Sequence, residues 1–191
     1  MADGLADYGF RGDTLAAEDA LEGAVVAALR HYVEGFGDTN CGVRGMGRPP
    51  AMAPDVFCAV WCAGGTQEYE NQWLCRYSLN VTLSLTGTLV PDDRWAGTVR
   101  RAFDAYRNPI LQVLHGGANA YANEVIGLAN RIRRPEEAEF QSALVLKSWS
   151  SPEDKAGDWW VGSMPDAHAG LAQTYSFSTW TLGGFGGEYV A

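Results

Sequence analysis

The sequence predicts an α+β fold: a mostly antiparallel sheet of about four strands packed against two main helices, with long loop insertions. Three observations carry this. Apolar residues between Leu21 and Phe36 recur at helical spacing, and residues 73–86 alternate with a two-residue period. Gly- and Pro-rich stretches separate such elements at 37–55 and 150–172. The chain has 191 residues, 47% of them hydrophobic and 19% charged. That composition excludes wholesale disorder, and a chain of this length buries about 70% of its unfolded surface without disulfide or metal. The organisation expected is an N-terminal arm over 1–13 and a single domain over 14–191.

The first helix is expected over 14–36. Leu21, Ala24, Val25, Ala28, Leu29, Tyr32, Val33 and Phe36 fall on one face. Asp13 or Thr14 can cap its start, and Glu18, Asp19 and Glu22 sit where the helix dipole favours anions. Gly35 and Gly37 supply the stop. Residues 37–55 follow as a loop too long to be a plain connection. A strand over 55–63 is apolar on both faces, with Val56, Cys58, Val60 and Cys62 on one and Phe57, Ala59, Trp61 and Ala63 on the other, so both faces are expected to be covered. Trp73, Cys75, Tyr77, Leu79, Val81, Leu83 and Leu85 form the buried face of a long strand, joined to the first as a hairpin. A second helix opens at Pro91 and is expected to end at Asn108, because Pro109 disfavours helix in the residue before it. Ile110 to Leu114 reads as a separate short apolar piece. Tyr121, Val125, Leu128 and Ile132 suggest helix over 118–134, against Gly127. Strands over 140–149 and 174–182 complete the domain.

With 14 Lys+Arg against 23 Asp+Glu, the net charge is −9, which argues against a protein that coats nucleic acid. No apolar run is long enough to span a membrane, and the acidic N-terminus does not read as a signal peptide, so a reducing cytoplasm is expected. Cys41, Cys58, Cys62 and Cys75 lack the paired spacing of a zinc site; Cys58 and Cys62 are about 13 Å apart on a regular strand. They are expected to be reduced core thiols without metal. His31 reads as a surface residue, His115 as part of a turn before Gly116 and Gly117, and His168 has no evident partner. There is no G-x-S-x-G elbow or P-loop, and Gly42 to Gly47 reads as a flexible loop. No catalytic, metal or cofactor residue is therefore assigned. Candidate contact residues are Arg44, Met46 and Arg48 in the first long loop and Trp159 and Trp160 in the second. Trp159 and Trp160 either anchor a partner or fold back over a sheet edge. Arg131, Arg133 and Arg134 precede Glu136, Glu137 and Glu139, a pattern suited to a solvated or inter-subunit charge pair.

Helix Leu21 to Phe36, strands Val56–Ala63 and Trp73–Thr86, helix Pro91–Asn108 and strand Tyr175–Leu182 resemble, in that order, the tail terminator proteins of long-tailed bacteriophages. The resemblance spans residues 14–182 and rests on element order and pattern, without a signature motif. It implies a structural virion protein of the phage neck, not an enzyme, made in the host cytoplasm and needing no cofactor. Such proteins form a hexameric ring that caps the tail tube and joins it to the head connector. The implied partners are further copies of the chain, the tail tube protein and a head-connector or head-closure protein, with DNA only passing through and no membrane. The chain departs from the family by its insertions at 37–55 and 150–172. Two alternatives stay open: another neck component such as a head-closure protein, and a small intracellular α+β binding module. A hydrolase or transferase is disfavoured by the lack of paired motif residues.

Overall fold

A computed structural model of the chain describes residues 17–43, 56–67, 74–86, 96–116, 120–132, 139–151 and 170–182. The elements run α1 (Ala17–Tyr32), β1 (Cys41–Val43), β2 (Val56–Gln67), β3 (Leu74–Thr86), α2 (Ala96–Leu114), α3 (Ala120–Ile132), β4 (Val145–Trp149) and β5 (Gly170–Leu182). The fold is α+β, as expected, but the described residues hold five strands and three helices rather than about four and two. The sheet order is β1-β2-β3-β5-β4, antiparallel throughout except for the parallel pair β1–β2.

The alternation read in β3 is observed. Cys75, Tyr77, Leu79, Val81, Leu83 and Leu85 are buried, while Ser78 is exposed and Asn80 and Thr82 are half-buried; only Ser84 departs, being buried as well. β5 pairs with β3 along its whole length, placing Tyr175 opposite Val81 and Phe177 opposite Leu79 on the same apolar face. On the opposite face the partners are polar. Thr82 and Thr174 hydroxyls hydrogen-bond at 3.0 Å, and Ser176 Oγ donates to Asn80 Oδ1 at 2.7 Å.

β2 does not have two covered faces. Val56, Cys58, Val60 and Cys62 are buried, but across the strand only Ala59 is; Phe57 is half-buried, and Trp61 and Ala63 are exposed. An apolar run identifies a buried strand only when both faces find a cover, and here Trp61 faces solvent.

α1 is buried almost all round, including Val26 and Ala27 outside the expected stripe. It packs on β1 and β2 on one side and on α3 and α2 on the other. Five alanines, Ala17, Ala20, Ala24, Ala27 and Ala28, are buried on it and let these neighbours approach closely. Gly35, at φ 87°, ends the run in the left-handed conformation that favours glycine.

The expected end of the second helix at Asn108 is overturned: Pro109 lies inside α2, which continues to Leu114. A proline in a helix interior costs about 3 kcal/mol, through a lost hydrogen bond and a clash with the carbonyl four residues back. Beyond it, however, Ile110, Val113 and Leu114 are at most 3% exposed, and each such side chain gains roughly 1.5–3 kcal/mol on burial. Packing outweighs the local preference. α3 forms despite Gly127, because Ala122, Val125, Ile126, Leu128, Ala129 and Ile132 bury one face.

Candidate functional site

The two edges of the sheet are where backbone groups and exposed aromatic side chains come together. At the first, β1 stops at Val43 opposite Val60, while β2 runs on to Gln67. Cys58 N–H already points at this side, donating to Asn40 O at 2.7 Å. The two-residue repeat of a strand aims Cys62 N–H the same way, one step past the end of β1. Glu22 Oε1 accepts that N–H at 2.6 Å. The Glu22 side chain is buried, and its carboxyl is held above the ordinary value: burial raises it most, the Cys62 N–H opposes, and Asp19 and then Glu18 raise it further. A register shift between Cys62 and Gly65 bends β2 just beyond this point. Trp61, 41% exposed, sits beside it.

Arg30 fixes the approach to β1. Its Nε and Nη2 donate to Cys41 O at 2.9 and 2.6 Å, and Nη2 also donates to Asp38 O at 3.0 Å. Cys41 and Cys58 are register partners across β1–β2, and all four cysteines are reduced and buried. Burial, followed by a hydrogen bond with the Cys41 thiol, pushes the Cys58 thiol well up, so it is a poor nucleophile.

No model of a known protein family matches the chain, and no curated protein matches its sequence. The chemistry of the surface is therefore read from its own residues.

At the other edge, the C-terminal end of α2 clips onto the start of β4. Gly116 N–H donates to Leu144 O at 2.7 Å, and Leu146 N–H donates to His115 Nδ1 at 3.2 Å. Gly116 has to be glycine, since a Cβ there would lie 2.4 Å from Ala143 Cβ and 3.1 Å from Leu144 O. A bulge between Leu146 and Ser148 leaves Lys147 out of register with β5. Trp149, 53% exposed, stands over the Arg107 guanidinium at 5.8 Å, and Arg107 in turn pairs with Asp104 at 2.9 Å.

Of the residues singled out from sequence, Arg131 lies exposed on α3. Arg44, Met46, Arg48, Arg133, Arg134, Trp159, Trp160 and His168 lie outside the described residues, as do the arm over 1–13 and most of the insertion over 150–172. His115 closes a helix, consistent with the turn expected there. Among the described residues no cluster of His, Cys, Asp and Glu could hold a metal ion, and no helix is long and apolar enough to cross a membrane. Sequence reasoning missed Glu22 as an edge cap and Trp61 and Trp149 as surface groups. The signal for Glu22 was its position next to Leu21 on the core side of the helix.

Proposed function

We propose that the chain is a structural assembly protein of a bacteriophage neck, acting as a tail terminator that forms a ring on the tail tube and joins it to the head connector. The observation that supports this reading is the placement of the exposed aromatics. Trp61 and Trp149 sit near opposite ends of the strand order and on different faces of the sheet, Trp61 in register with Asn80 on the polar face and Trp149 in register with Tyr175, against the Arg107 guanidinium. A ring needs two unlike surfaces on each subunit, because its contacts are heterologous and close only by rotation. The net charge of −9 suits a conduit wall, since an acidic surface does not retain passing DNA. In this role the chain carries out no chemistry and needs no cofactor. The test is electron microscopy of the assembled particle, with an antibody against this chain. Label confined to the junction of head and tail is expected. Recovery of the chain as a lone monomer in a cellular complex would overturn the reading in favour of a small binding module.

A further inference from the structure

The four thiols are not equivalent in the sheet. Cys41 and Cys58 stand directly opposite each other across the parallel pair β1–β2. Neighbouring strands lie about 4.8 Å apart, within the Cα separation of about 4.4–6.8 Å that a disulfide spans. Partnered residues of a parallel pair send their side chains to the same side, and both thiols lie in the core, Cys41 1% and Cys58 0% exposed. The two already share a hydrogen bond. No other pairing is within reach. Cys62 faces Leu79, and Cys75 faces Gln67 and Thr181. Cys62 lies four residues along β2 from Cys58, and Cys75 four residues along β3 from Leu79, about 13 Å in each case on a regular strand.

The backbone around Cys41 is held in place without any bridge. Its N–H donates to Gly37 O at 3.1 Å, and its carbonyl accepts from Arg30 Nε and Nη2. Next to it, Asn40 O accepts the Cys58 N–H at 2.7 Å. A bridge between the two sulfurs therefore needs no change of register.

We propose that Cys41 and Cys58 form a reversible disulfide that locks β1 onto β2 when the chain meets a small disulfide oxidant such as oxidised glutathione. β1 is a three-residue strand at the end of the sheet, so it opens at low cost and admits the oxidant. Cys41 attacks first, because burial makes the Cys58 thiol a poor nucleophile. The Cys41 thiolate displaces one glutathione thiolate and leaves a mixed disulfide. The Cys58 thiolate then attacks the Cys41 sulfur and displaces the second. The protein gives up two electrons and two protons, and the oxidant departs as two molecules of reduced glutathione. The bridge encloses residues 42–57 and acts by restricting the unfolded chain. This site does not depend on the ring reading.

In the test, the full-length chain is incubated with oxidised glutathione below its unfolding transition, alkylated in denaturant and weighed. The expected product carries two alkyl groups instead of four and has lost two hydrogens, and its digest joins Cys41 to Cys58. Its melting temperature rises by about 5–10 °C and falls back with dithiothreitol. Cys58→Ala stops at a glutathione adduct on Cys41. Four alkylated cysteines in the parent chain, a bridge that includes Cys62 or Cys75, or a bridged chain that melts no higher than the reduced one overturns the proposal.

Discussion

At the β2 edge the dangling Cys62 N–H meets a carboxylate carried on the buried side of α1, whereas at the β4 edge the Leu146 N–H meets the imidazole of His115 at an exposed helix end. Both caps spare the sheet an unpaired donor, but they differ in cost. Glu22 loses water on burial, which holds its carboxyl above the ordinary value, and its neighbours Asp19 and Glu18 add repulsion instead of relief. His115 stays in water and loses little. The first cap is thus buried and electrostatically costly, and the second is exposed to solvent. A carboxylate is retained at a costly place because an aliphatic residue there would leave Cys62 N–H without an acceptor, a penalty of roughly 1–3 kcal/mol.

The largest effect is expected from Leu29→Asp. Leu29 is fully buried in the helix that carries the first cap, so an unpaired carboxylate there unfolds the domain, with loss of the cooperative transition in circular dichroism. A folded variant with an unchanged melting temperature would show that α1 is not core. At the second edge, Gly116→Ala drives a methyl into Ala143 and should cost about 1–3 kcal/mol in urea unfolding. No loss of stability would mean that the clip between α2 and β4 is loose.

The Glu22 cap has a pH signature. Its folded-state pKa lies above the ordinary 4.5, so the folded chain keeps a proton that the unfolded chain releases. Its contribution is therefore full below pH 4.5 and is lost as pH rises through the raised value. Relative to Glu22→Gln, which still offers an oxygen but cannot ionise, the parent chain should lose stability as pH rises above 4.5. Parallel stability curves for the two proteins would refute this. At the solvent-exposed cap, His115→Ala removes one partly exposed acceptor and should cost only about 0.5–1 kcal/mol. An effect of similar size has the opposite sign. A Cβ on Gly127 meets nothing closer than Arg131 Nη1 at 3.6 Å, so Gly127→Ala should stabilise α3 by about 0.5–1 kcal/mol. A drop in melting temperature would expose a packing role for that glycine.

The contrast also explains what could be read from the residues alone. β3 and α1 were legible because each buries a periodic face long enough to count, Cys75 to Leu85 in one and Leu21 to Leu29 in the other, although α1 ends at Tyr32 and not at the expected residue 36. β1 was not, since three residues, Cys41 to Val43, carry no period. The proline rule ended α2 at Asn108 because it sees only the local backbone, whereas burial of Ile110 and Leu114 is a tertiary gain. β2 looked two-faced because Trp61 counts as apolar in any pattern, and composition does not say which apolar residue is left in water. The edge caps were invisible for a related reason. Glu22 and His115 each meet a backbone N–H at least 31 positions away, a proximity that only the assembled sheet creates.

The strand order has one more consequence, for the growing chain on the ribosome. β5 lies between β3 and β4, yet it is the last of the described strands to be made, and its pairing with β3 joins Thr86 to Gly170. Until Leu182 has left the exit tunnel, β4 has no neighbour on the sheet and β3 offers a long bare side. α1, β1 and β2, close in sequence, can associate first, but closure of the described core waits until β5 has been made. A transcript or nascent chain cut short before residue 170 therefore yields a polypeptide missing a central strand. Such a product leaves the long side of β3 unpaired, an edge prone to aggregation.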